Sequence, residues 1–208
     1  MMTINNITVP SYGGRELVQK HLTNNNSSLA VFFPGKNYSC EKPLLYYVMK
    51  SATACNYDAL LLEYGYQAAR SEFNPDDMEL IINECCQSIN QVCGNYNKIV
   101  FVSKSLGTYI AARASELINT GEIAHMYLTP IKSTIPFINN SKGIALWGTA
   151  DKIINEEDVK QIEESPRVTL HKVAEANHAL EVENLDQSLN IMKTIIEISD
   201  QFFTKLAV

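Results

Sequence analysis

At 208 residues the chain has the length of one domain, and folding can bury about 70% of its unfolded surface without disulfides or a structural metal. Hydrophobic residues make up 46% and charged residues 19%, which argues against disorder; 17 basic against 23 acidic residues give a net charge of −6 with no basic cluster, which is wrong for a nucleic-acid binder. No apolar run reaches the roughly 18 residues of a membrane span, and the Asn-rich start from Met1 to Gly14 lacks the regions of a signal peptide. The five cysteines (Cys40, Cys55, Cys85, Cys86, Cys93) are odd in number and show no CxxC spacing, so neither a disulfide framework nor a zinc site is expected and the chain reads as cytoplasmic.

The first 28 residues predict an antiparallel hairpin, Ile4 to Tyr12 and Glu16 to Leu22 around a Gly13-Gly14 turn. Leu29 to Phe33 is a continuous apolar run stopped by Pro34-Gly35, the pattern of a strand buried on both faces. A helix over Pro43 to Ala54 and a strand over Ala59 to Tyr64 follow. The next helix spans Pro75 to Cys93, with Asn74 as its N-cap and Pro75, Asp76, Asp77 and Glu79 in its first turn. A strand at Ile99 to Val102 leads into a helix over Leu106 to Ile118. Strands at Ala124 to Leu128 and Gly143 to Trp147 are separated only by Thr129 to Lys142, too little chain for a cap domain. A short acidic helix over Glu156 to Glu163 precedes Val168 to Val173, which alternates like a strand near an edge. The last helix, Leu185 to Leu206, carries apolar Leu185, Leu189, Met192, Ile195, Ile196 and Phe203. Its tail of Phe202, Phe203, Leu206 and Val208 fits packing on the sheet ahead of contact with a second subunit. Strands and helices alternate without repeat or linker. They predict a single α/β domain over residues 1–208, with a mostly parallel central sheet of about six to eight strands flanked by helices and no cap domain.

In such sheets ligands bind beyond the carboxyl ends of the strands, and three loops there carry chemistry. Ser103-Lys104-Ser105-Leu106-Gly107 joins a buried strand to a helix. A nucleophile elbow needs that setting, with small residues two before and two after the nucleophile, as Ser103 and Gly107 are. Ser105 is then the nucleophile and the Leu106 N–H an oxyanion donor; on the plainer reading the serines merely cap the helix. Gly148-Thr149-Ala150-Asp151 offers a carboxylate to accept an imidazole N–H, unless Asp151 caps the next helix and Asp158 or Glu156 is the acid. Asn177-His178-Ala179 supplies the one histidine of four that sits in a loop past a strand end; His21 falls in the hairpin, and His125 and His171 fall within strands. Ser105, Asp151 and His178 occur in the order nucleophile, acid, histidine, each after a different strand. The elbow lacks the spaced glycines and Gly-Lys-Ser/Thr of a phosphate-binding loop.

On these residues the chain resembles the α/β-hydrolase superfamily, and within it the small, lid-poor members akin to dienelactone hydrolases and small esterases. The resemblance runs from Phe33-Pro34-Gly35 to the C-terminal helix, with Pro34-Gly35 standing where many members have His-Gly, and with Ser at the elbow where dienelactone-hydrolase-like relatives can use Cys. It implies that Lys36, or neighbouring Asn37, gives the second oxyanion N–H. It also implies a serine hydrolase that opens a carboxylic ester or thioester of a small-molecule acyl substrate through an acyl-enzyme, with no metal or cofactor. Amide or peptide hydrolysis ranks second, and a non-catalytic binding module is the alternative from another class. The expected pocket walls are Lys36 to Cys40, Tyr64 to Phe73 and Thr129 to Asn140, with Tyr38, Tyr64, Tyr66, Phe73 and Phe137 as candidates for an apolar acyl wall.

Overall fold

The apolar runs at 29–33 and 99–102 become neighbouring central strands of an eight-stranded sheet. The computed structural model of the protein describes residues 2–207; Met1 and Val208 lie outside them. In chain order the strands are β1 (Thr3–Pro10), β2 (Glu16–Thr23), β3 (Ser28–Phe33), β4 (Tyr57–Leu61), β5 (Lys98–Lys104), β6 (Ala124–Leu128), β7 (Lys142–Gly148) and β8 (Val168–Val173). The helices are α1 (Pro43–Ala54), α2 (Gly65–Ala68), α3 (Met78–Asn90), α4 (Leu106–Leu117), α5 (Ile135–Ile138), α6 (Glu156–Glu163) and α7 (Leu185–Ala207). Across the sheet the order is β1-β2-β4-β3-β5-β6-β7-β8. The β1–β2 hairpin joins antiparallel to β4, and every pairing from β4 to β8 is parallel.

Parallel strands need cover on both faces, and the side chains alternate to provide it. Ala30, Phe32, Val100 and Val102 join the layer with Leu44, Val48 and Phe203 of α1 and α7. Leu29, Val31, Phe33, Ile99 and Phe101 meet Ile82, Cys85, Ile110 and Ala111 of α3 and α4. Tyr127, Ala145 and Trp147 pack with Ile135, Val159 and Ile162 of α5 and α6. Cys40, Cys85 and Cys86 are buried, and all five cysteines are free.

The structure moves three boundaries. The helix expected over Pro75 to Cys93 opens as a 3₁₀ turn at Pro75–Asp77 and holds α-geometry only over α3. Asn74 caps that turn rather than the α-helix, its side chain accepting the Asp76 N–H at 3.2 Å. β4 starts at Tyr57 and stops at Leu61, because the Glu63 N–H is taken by the Gln19 side chain at 2.7 Å and leaves the ladder. Leu185 and Leu189 are 72% and 60% exposed, since α7 joins the apolar layer only from Ile191 onward. Phe202 and Phe203 are buried in that layer and Leu206 packs against it, as the sheet-packing reading expects.

Two topological features set the site. Between β6 and β7 stand only a 3₁₀ turn (Lys132–Thr134) and α5, so no cap domain covers the carboxyl end of the sheet. The chain leaves β3 for β4 on one side and returns in β5 on the other. The loops after β3 and β5 therefore diverge and open a crevice between them.

Candidate active site

Ser105 turns the chain from β5 into α4 at φ 52° and ψ −120°. A non-glycine residue there carries about 1–3 kcal/mol of strain and needs neighbours that leave it no choice. Its N–H donates to the Leu128 carbonyl at 3.0 Å, and its carbonyl accepts from both the N–H and the hydroxyl of Thr108, at 2.9 and 2.6 Å. A β-carbon on Gly107 would collide with the carbonyls of Phe33 and Pro34, and Ser103 is fully buried, so the small flanking residues are what let α4 approach β3.

Asp151 follows β7 through a tight turn in which its N–H donates to the Gly148 carbonyl at 2.9 Å. Its side chain is wholly buried; Oδ1 accepts the Ile153 N–H at 2.9 Å and Oδ2 lies 2.7 Å from His178 Nδ1. The His178 loop is fixed by Asn177, whose Oδ1 accepts the N–H groups of Ala179 and Glu181 at 2.7 and 3.3 Å. His178 Nε2 lies 2.8 Å from Ser105 Oγ. A carboxylate can only accept, so Nδ1 carries the imidazole proton and Nε2 is left to accept the Ser105 O–H. The three residues chosen from sequence thus form one hydrogen-bonded chain. Asp158 does not compete: its Oδ2 accepts the Asn155 N–H at 3.0 Å and Asn155 Oδ1 accepts the Asp158 N–H at 2.9 Å, a capping box that starts α6. Glu156 is exposed in the first turn of the same helix.

Beside Ser105, the loop after β3 closes on itself. Gly35 N–H donates to the Tyr38 carbonyl at 2.9 Å and Tyr38 N–H to the Gly35 carbonyl at 3.3 Å. That turn leaves the amides of Lys36 and Asn37 without an acceptor among the described residues, and the same is true of the Leu106 amide at the start of α4. The aromatic wall expected here is mostly bracing. Tyr64 is completely buried and donates its hydroxyl to the Pro34 carbonyl at 2.8 Å; Tyr66 donates to the Lys36 carbonyl at 2.7 Å. Buried phenols need such acceptors, and the two carbonyls supply them. Tyr38 accepts the Leu44 N–H at 2.9 Å, Phe73 lies under the Lys36 ammonium at 5.4 Å, and Phe137 meets Tyr109 edge-on.

Sequence reading passed over Lys104, although it stands inside the elbow motif. Only 3% exposed, it donates from Nζ to the His178 carbonyl at 3.2 Å and to Thr129 Oγ1 at 3.4 Å, above the Tyr38 ring at 4.8 Å. Burial pushes its pKa down to about 8, against the pull of Asp151 and Glu181. The available signal is a lysine two residues past the apolar run Ile99 to Val102, between the two serines of the elbow. A cleft of about 360 Å³ lined by Lys142, Arg167 and Phe202 lies at the amino end of the sheet and holds none of Ser105, Asp151 and His178. Among the described residues, no group of three His, Cys, Asp or Glu is arranged to hold a metal, and no helix is long and apolar enough to cross a membrane.

No family model and no curated protein matches the chain. Solved structures do. An esterase from Pyrococcus furiosus is similar with a TM-score of 0.70 and 12% identity, over 97% of this chain and 94% of that one. A dienelactone hydrolase from Anabaena variabilis is similar at 0.72 and 16%, over 98% of both chains. An α/β serine hydrolase homologue from Coxiella burnetii is similar at 0.70 and 12%, over 95% and 98%. At these identities the likeness speaks for architecture, and it extends over nearly the whole chain: the protein has the α/β-hydrolase fold.

Proposed function

We propose that the protein is a serine hydrolase that cleaves a carboxylic ester or thioester through an acyl-enzyme. The observation that carries this reading is the unbroken chain from Asp151 Oδ2 to His178 Nδ1 at 2.7 Å and from His178 Nε2 to Ser105 Oγ at 2.8 Å. Ser105 Oγ attacks the acyl carbonyl as its proton passes to His178 Nε2, and Asp151 stabilises the imidazolium that forms. The developing oxyanion meets the unclaimed N–H of Leu106, at the positive end of α4, and that of Lys36 or Asn37 across the crevice. The imidazolium then protonates the departing alkoxide or thiolate. Water, deprotonated by the same imidazole, attacks the acyl-enzyme, releases the acid and returns the proton to Ser105. The open site suits esters, thioesters and peptide-like acyl groups alike, and esters and thioesters rank ahead of amides because an amide's poor leaving group demands more from the same residues.

The test is reaction of the folded protein with a fluorophosphonate probe, read by intact mass beside a panel of short-chain esters and thioesters. One adduct on the wild type and none on Ser105→Ala is expected, with a loss of turnover on the order of 10⁵–10⁶-fold in the variant. An unlabelled, well-folded wild type overturns the proposal and brings the binding-module reading forward.

A further inference from the structure

Four carboxyl-end loops of the site converge on one cation. Lys104 is the last residue of β5. It receives the Tyr38 ring from the loop after β3, Thr129 Oγ1 from the loop after β6 and the His178 carbonyl from the loop after β8, and it feels the carboxylate of Asp151 from the loop after β7. Two further charges face it: Glu181, three residues past His178, and Lys42, whose ammonium also lies over the Tyr38 ring, at 5.4 Å. Lys104 makes no ion pair within 4 Å among the described residues, and its two hydrogen bonds run to neutral oxygens. The carboxylate nearest in effect, Asp151, is already engaged by His178 and the Ile153 N–H.

A buried ammonium without a contacting carboxylate is a poor way to gain stability; a Met or Leu of similar size would fill the space at lower cost. What the charge does accomplish follows from where it sits. Its bond to the His178 carbonyl ties the histidine loop to the strand that ends in Ser105, so the two residues that exchange a proton are held by one side chain.

We propose that Lys104 is a positioning residue that pins the His178 loop to the nucleophile elbow. This rests on the serine-hydrolase reading for its catalytic consequence, but not for its physical content, which can be read without turnover. The experiment is native-state hydrogen exchange at the backbone amides of residues 178–181 in wild type, Lys104→Met and Lys104→Arg. In parallel, kcat and KM are measured with p-nitrophenyl acetate. In Lys104→Met those amides should exchange at least about tenfold faster, and kcat should fall on the order of 10- to 100-fold with KM within about twofold. Lys104→Arg keeps a long donor and should return both readings toward wild type. If Lys104→Met does not fold, Lys104→Gln, whose shorter side chain stops before the His178 carbonyl, is read in its place. A folded variant whose loop amides exchange as in wild type overturns the proposal. A wild type that hydrolyses nothing while exchange still rises in the variant removes the function proposed above and leaves the placement of Lys104 standing.

Discussion

The two ends of the sheet handle polar groups in opposite ways. At the amino end of the parallel strands, Asp58 is fully buried and accepts from the Thr23 hydroxyl at 2.5 Å, the Asn24 N–H at 2.9 Å, the Asn26 side chain at 2.9 Å and the Tyr96 hydroxyl at 2.9 Å. The network is closed, and the two residues at positive φ nearby are Asn25 and Asn56, a type that tolerates that conformation. At the carboxyl end, positive φ falls on Ser105, Thr129, Glu175 and Leu180, which tolerate it poorly. There, among the described residues, backbone donors at Lys36, Asn37 and Leu106 find no acceptor, and Lys104 is buried without a contacting carboxylate. The Asp58 network meets its polar groups within the fold, whereas the donors beside Ser105 are left open.

The comparison can be broken by substitution at either end. At the carboxyl end, Asp151→Asn should lower turnover on the order of 10⁴-fold, by releasing the imidazole into the wrong tautomer, while urea unfolding changes little. At the amino end, Asp58→Ala should leave kcat/KM within about twofold and destabilise by about 2–4 kcal/mol in the same unfolding measurement, because several buried donors lose their acceptor together. A variant at Asp58 that loses activity while staying folded would erase the distinction between the two ends.

Two pH effects sharpen it. Burial alone would raise the Asp58 pKa, but the hydrogen bonds from Thr23, Asn24, Tyr96 and Asn26 outweigh it and hold the group below its ordinary 3.8. Its stabilisation is therefore complete above that value and is lost only as pH falls toward the folded-state value. His125 supplies the second effect. It is stacked on Tyr127 with ring centroids 4.9 Å apart, its Nδ1 has no partner, and burial pushes its pKa down to about 3 from 6.5. Between those values the unfolded chain binds a proton that the folded chain does not, so stability should decline as pH drops from 6.5 toward 3. His125→Phe keeps the stack, removes that proton, and should flatten the decline in Tm. The smallest effect belongs to Asp158→Asn, which should lower stability by about 1 kcal/mol through its capping box and leave turnover unchanged.

Much of the site was legible because its parts are local. The elbow is five residues long, and its demand for small side chains at Ser103 and Gly107 can be read without knowing that Phe33 and Pro34 are what press on them. His178 stood out as the one histidine past a strand end, and the order of the three residues tied them together. Tyr64 and Tyr66 could be read only as candidates for an acyl wall or as core, because an aromatic side chain in a loop looks the same in sequence whether it faces a substrate or hands its hydroxyl to a neighbouring carbonyl. Leu185 and Leu189 keep the apolar periodicity of α7 yet stay exposed, because helical periodicity says which face is apolar, not where along its length a helix meets the sheet.

The amino-acid sequence by itself determined the succession of the eight strands and the five longer helices, though not the short α2 and α5, and with it the burial of the sheet on both faces and the place of the elbow, because apolar periodicity and turn chemistry act over a few residues. Tertiary structure alone decided that Asp151 rather than Asp158 meets His178, that Lys104 is buried beneath the histidine loop, and that Lys36, Asn37 and Leu106 keep free donors around one crevice. Those contacts join residues 27, 73 and 74 positions apart, from Asp151 to His178, Ser105 to His178 and Lys104 to His178. Only the order in which strands take their places in the sheet brings such distant loops within a hydrogen bond of one another.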